Sequence, residues 1–144
     1  MEELIRWQKE LDKRIERLET TAEQPVFVPL TDYSGTATYV GWSSFTTQVI
    51  YYSRDGKLVF VHFNVAGVSN STSCTVSLPY TSAGAPQIFQ MCRVRDNGTL
   101  AVGMVSILVS TATLSFRPSI TAAPTAWTSS GNKDVLGEIF YWMA

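Results

Sequence analysis

The groups with which this chain could do acid–base, nucleophilic or metal chemistry are few beyond its first 24 residues: one histidine, two cysteines and five carboxylates. His62 lies in a strand-like run at 57–65 with no cysteine or carboxylate beside it in sequence, so a structural or surface role outweighs a catalytic one. The carboxylates are Asp32, Asp55, Asp96, Asp134 and Glu138. At least three stand in turn sequences, where Asp bonds its own backbone. A glycosidase needs two opposed carboxylates roughly 5–10 Å apart, and no pair is singled out by spacing. There is no phosphate-binding glycine loop, nucleophile elbow or metal-spaced His/Cys cluster. The expectation is therefore a protein that is not an enzyme and needs no metal or cofactor. Cys74 and Cys92 could pair, but both fall on apolar-facing positions of strand-like runs, which favours two buried free thiols.

Carbohydrate recognition asks for less: flat aromatic faces with amides and hydroxyls nearby. Trp127, Tyr80 and Trp42 are the candidate receptor-binding residues, set among many Ser, Thr and Asn. Trp127 falls in 121–133, a stretch of Pro, Thr, Ser, Gly and Asn that reads as exposed loop, and an exposed indole there would be a good stacking platform. Packing in the core or between subunits is the competing role for each, more so for Trp42 and Tyr80 than for Trp127.

Charge separates the chain into two parts that must position these groups. The net charge is −1, and charged residues make up 16% of the 144 residues, yet 1–23 carry 12 of the 23 charges. The near-neutral balance gives no footprint for nucleic acid. The longest apolar runs fall far short of the ~20 residues that span a bilayer. The charged first 20 residues are unlike a signal peptide.

Residues 2–21 contain neither Gly nor Pro and are rich in Glu, Lys, Arg and Leu, which predicts a helix roughly 30 Å long. Pro25 should end it. Leu4, Leu11 and Leu18 fit heptad position d, and Met1, Gln8, Ile15 and Ala22 fit position a. The run Arg14-Ile15-Glu16-Arg17-Leu18-Glu19 resembles the short coiled-coil trimerisation motif, with Arg14 at g and Glu19 at e. The expected trimerisation residues are thus Leu4, Gln8, Leu11, Arg14, Ile15, Leu18 and Glu19. About three heptads hold a trimer weakly, so the rest of the chain should supply much of the association energy. A solitary amphipathic helix packed on its own domain is the alternative. On a trimer axis three copies of His62 would converge, a minor route to a metal or anion site.

From Val26 onward the period changes to that of strands. Runs rich in β-branched and aromatic residues fall at 26–28, 38–42, 46–54, 57–65, 73–78, 88–95, 99–109, 111–116 and 135–143. Asp55-Gly56 and Asn97-Gly98 each predict a hairpin. No repeat of 20–50 residues argues for a propeller or β-helix. The fold class expected is all-β: an antiparallel, jelly-roll-like sandwich over 25–144, preceded by a short trimeric coiled coil over 1–24. The last run, 137–144, is apolar on both faces, so one face belongs to the core and the other needs cover, for which a neighbouring subunit is a natural source.

A trimerising helix followed by a Ser/Thr-rich, nearly uncharged β body with an aromatic last strand resembles the C-terminal head domains of phage and prophage tail fibres. Gly41-Trp42-Ser43-Ser44-Phe45, the stretch from Tyr51-Tyr52 through Gly56-Lys57-Leu58-Val59-Phe60-Val61, and Gly137-Glu138-Ile139-Phe140-Tyr141-Trp142 carry the similarity, which covers about residues 33–144. The resemblance implies a homotrimeric viral head, often of jelly-roll form and similar in architecture to tumour-necrosis-factor and C1q heads. It implies attachment to a host-surface receptor, a glycan or an outer-surface protein. It places the protein on the virion tail fibre, with a longer fibre shaft before Met1. No binding residue transfers from it. A structural trimerisation cap and a C1q-like bacterial surface or spore-coat protein are the alternatives.

Overall fold

The computed structural model describes residues 2–21, 26–84, 87–121 and 126–144, and their side chains except at positions 2, 4 and 18–21. Glu2–Thr21 form the helix α1, the span expected from its composition; the expected stop at Pro25 lies outside the described residues. Nine strands follow: β1 (Phe27–Asp32), β2 (Tyr39–Val40), β3 (Trp42–Asp55), β4 (Leu58–Ser69), β5 (Thr75–Ser77), β6 (Ile88–Asp96), β7 (Thr99–Ile107), β8 (Thr113–Arg117) and β9 (Asn132–Trp142). Each expected strand has its counterpart, and the described residues after α1 contain no further helix.

All strands belong to one antiparallel sheet of order β1-β3-β4-β9-β6-β7-β8-β5-β2. β2 ends that order and β3 stands second from its opposite end, beside the edge strand β1, yet Gly41 alone separates β2 from β3 in the chain. The sheet must therefore curl until its two ends meet at this corner. Gly41 has φ +109°, a region that L side chains rarely adopt, and a Cβ there would lie 2.3 Å from the Ser73 carbonyl oxygen. This is why the single strand expected at 38–42 is broken in two, with β3 starting at Trp42.

The two turn-coded hairpins form, with different local geometry. Asp96 pairs Thr99, so Asn97-Gly98 is a two-residue loop, with φ +47° and +86°. That suits a primed turn, whose twist matches the strands. Asp55 pairs Leu58, so the other loop is Gly56-Lys57; Gly56 takes φ +55° and Asp55 stays in the strand.

The core fills the inside of the curl, with alternation clearest along β4. Val59, Val61, Phe63 and Val65 of β4 point in with Ile139 and Tyr141 of β9, Val105 and Ile107 of β7, and Leu114 and Phe116 of β8. The rings of Phe63 and Phe116 meet edge to face at 5.0 Å. Cys74 and Cys92 are buried and unpaired, the free-thiol state favoured by their sequence positions. Burial pushes both thiols up, Cys92 to about 12. The C-terminal end is stitched in: the Met143 N–H donates to the Lys57 carbonyl at 2.9 Å, and the Ala144 N–H to the Thr81 carbonyl at 3.0 Å.

Candidate functional site

Strand alternation and the corner at Gly41 decide what each expected site residue can offer. Trp42 opens β3 on its inward face and is 5% exposed, its indole N–H donating to the Lys133 carbonyl at 3.0 Å. Trp127 is 3% exposed, and its indole N–H donates to the Phe116 carbonyl at 2.9 Å. The expectation that Trp127 stands in an exposed loop as a stacking platform is corrected here. Residues 128–131 are exposed, as their composition requires, but the indole turns inward under them. The loop is tied down on both sides of that turn. The Asp96 carboxylate accepts from Thr128 N–H at 3.0 Å and from its hydroxyl at 2.6 Å, and the Ser69 hydroxyl donates to the Thr128 carbonyl at 2.6 Å. Neither tryptophan presents a ring face to solvent in this chain.

What fills the space between the two indoles is Lys133, fully buried on β9. Its ammonium lies 5.8 Å from the Trp42 ring and 5.2 Å from the Trp127 ring. It donates to the carbonyls of Gly41 at 3.2 Å, Ser71 at 2.8 Å and Ser73 at 3.1 Å. Three acceptors match the three donors of an ammonium, and two indole faces add cation–π attraction. Burial pushes its pKa below the ordinary lysine value. The cage closes the corner where the ends of the sheet meet.

Tyr80 sits elsewhere and keeps a different company. The rings of Tyr52 and Tyr80 meet edge to face at 5.7 Å, and those of Tyr33 and Tyr52 at 6.0 Å. The Arg54 guanidinium lies 5.2 Å from the centre of the Tyr80 ring. All four side chains are half-buried. The Tyr33 hydroxyl donates to the Leu78 carbonyl at 3.3 Å, the Tyr141 hydroxyl donates to the Tyr80 carbonyl at 2.9 Å, and Arg54 Nε donates to the Gly56 carbonyl at 2.6 Å. Tyr33, Tyr52 and Arg54 were not read as site residues from sequence. The available signal was the i, i+2 spacing of Tyr52 and Arg54 on the face of β3 that also carries the core residue Ile50.

Two apolar surfaces are left uncovered. On α1, Ile5, Trp7, Leu11 and Ile15 are 45–71% exposed, with Gln8 and Arg14 exposed among them. The side chains of Leu4, Leu18 and Glu19 lie outside the described residues. On the sheet, the outward face runs across β4, β9, β6 and β7. Leu58 pairs Trp142, Phe60 pairs Phe140, and His62 pairs Glu138. Leu136 pairs Arg93, and Arg93 pairs Val102, next to the Met91–Met104 pair. Phe140 is 49% exposed, Trp142 57% and Met91 67%. The rings of Phe60 and Phe140 meet at 4.9 Å, tilted by 47°. At Met91, Leu100, Val102 and Leu136 the face dips into a shallow apolar groove of about 520 Å³. The last strand is two-sided, as its sequence suggested: Ile139 and Tyr141 are buried inward, while Phe140 and Trp142 remain about half exposed on the outward face.

His62 Nδ1 lies 3.5 Å from a Glu138 carboxylate oxygen on this outward face. The partner comes from the neighbouring strand, so proximity in sequence could not reveal it. Among the described residues no three His, Cys, Asp or Glu side chains gather as a metal site would require. Nor is any described helix long and apolar enough to cross a membrane. Comparison with protein-family models and with curated proteins returned no match.

Proposed function

We propose that the chain is one subunit of a homotrimeric viral tail-fibre head. In this reading α1 forms a three-stranded coil, the β body packs as a jelly-roll-like head, and the assembly attaches a particle to a host-surface receptor, a glycan foremost, without catalysis. The observation that carries it is the outward apolar face on which Phe140, Trp142 and Met91 are exposed beside the half-buried Phe60 and Leu136. Contiguous exposed apolar surface of this kind marks an interaction site, and the exposed seam of α1 calls for partner helices. The viral setting and the receptor come from the resemblance in texture described above.

A glycan array and adsorption to candidate cells test the attachment. Saccharide binding or saturable adsorption supports it. Absence of both favours a structural trimerisation cap, a reading that gains weight from the burial of Trp42 and Trp127. A C1q-like surface or spore-coat protein shares the same assembly, and a Gly-X-Y stalk upstream would identify it.

A further inference from the structure

The cluster of Tyr33, Tyr52, Arg54 and Tyr80 has a geometry that core packing does not require. A guanidinium stacked on an aromatic face exposes its planar edge of N–H donors, which matches a carboxylate with two parallel hydrogen bonds. The Arg54 guanidinium carbon lies over the Tyr80 ring, 5.2 Å from its centre, and its Nε is held by the Gly56 carbonyl. Its terminal amino groups have no protein partner among the described residues. Carboxylates near it in sequence do not compete. Asp55 faces the other side of β3, as alternation demands, and the Asp32 carboxylate accepts the Ser34 N–H at 2.8 Å. The tyrosines are pre-set, because Tyr33 is anchored through its hydroxyl and Tyr80 through its carbonyl. Tyrosine rings beside an available guanidinium fit a sugar ring that bears a carboxylate: the sugar's C–H groups pack on a tyrosine face and the acid meets Arg54.

We infer that this cluster binds an acidic saccharide, with Arg54 taking the sugar carboxylate and Tyr52 and Tyr80 packing its ring. The inference rests on the attachment reading and gives it a ligand class and a place on the fold. The direct test is calorimetric titration of the full chain with a glucuronate-containing oligosaccharide and with its carboxyl-reduced counterpart. The acidic ligand should bind about tenfold or more tightly than the reduced one, with affinity falling as salt is raised. Arg54→Gln should abolish that preference, and Arg54→Lys should recover little of it, since an ammonium lacks the planar fork. Should either variant unfold, the comparison of the two ligands on the unaltered chain still decides. Equal affinity for both ligands, or unchanged binding in folded Arg54→Gln, overturns the assignment. If cells or neutral glycans are bound while the acid preference is absent, this site assignment fails and the attachment reading stands. If neither is bound, both fall.

Discussion

Lys133 holds the corner of the sheet through a charge that the protein keeps out of water. An ammonium without a carboxylate partner is costly to bury, and here three carbonyls and two indoles offset the cost. Lys133→Met keeps much of the volume and removes the donors to the Gly41, Ser71 and Ser73 carbonyls. It should lower unfolding stability by about 2–4 kcal/mol, read as a drop in the urea midpoint with unchanged slope. The buried acids set the alkaline limit. Cys92 is pushed up to about 12 from 9.0, and burial raises Cys74 and Tyr141 too. The unfolded chain releases these protons first, so the stability they contribute is whole below pH 9 and is lost as pH climbs toward 12. Lys133 has the opposite sign. Its pKa is lowered below 10.5, so stability rises with pH between its folded value and 10.5. Burial raises Tyr39 and Tyr52 as well, so five raised groups against one lowered lysine predict net weakening above pH 9. Denaturant melts from pH 8 to 11 should show it, and Cys92→Val should make the decline shallower.

Elements were legible where local chemistry writes them and illegible where distant parts meet. Asn97-Gly98 fixed its hairpin because both residues tolerate positive φ, and the charged, glycine-free run at 2–21 gave α1 at its full length. The corner was not legible. Gly41 divides what reads as one strand because the Ser73 carbonyl, far along the chain, leaves no room for a Cβ. The same limit governed the site. Composition places Trp127 in an exposed loop, whereas its burial depends on Phe116 and Lys133, which composition does not relate to it. Tyr80 was singled out for its ring, while Arg54 and Tyr52 reach it only through the curl of β3. Gly41→Ala should therefore cost about 2 kcal/mol or more, measured by chemical denaturation. On α1, Ile15→Asp should weaken self-association in sedimentation while leaving the near-ultraviolet spectrum of the β body unchanged. Joint loss of both signals would show the two segments to be coupled.

At the scale of the whole molecule, the β body has a filled interior and an unfinished exterior. Its inward residues face away from an outward apolar row in which Phe140, Trp142 and Met91 are exposed and Phe60 and Leu136 half-buried, a surface of the kind that binds partners. A second uncovered stripe runs along α1. Cyclic assembly of identical chains covers both kinds of surface in all copies at once. Replacing Phe140 and Trp142 with Lys tests the share carried by the last strand. The variant should fold, because both side chains point away from the core, and it should associate more weakly than the unaltered chain. Sedimentation equilibrium of the unaltered chain at micromolar concentration tests the proposal most directly. The account predicts a mass three times that of the 15.9 kDa chain, and a monomer mass at that concentration would contradict it.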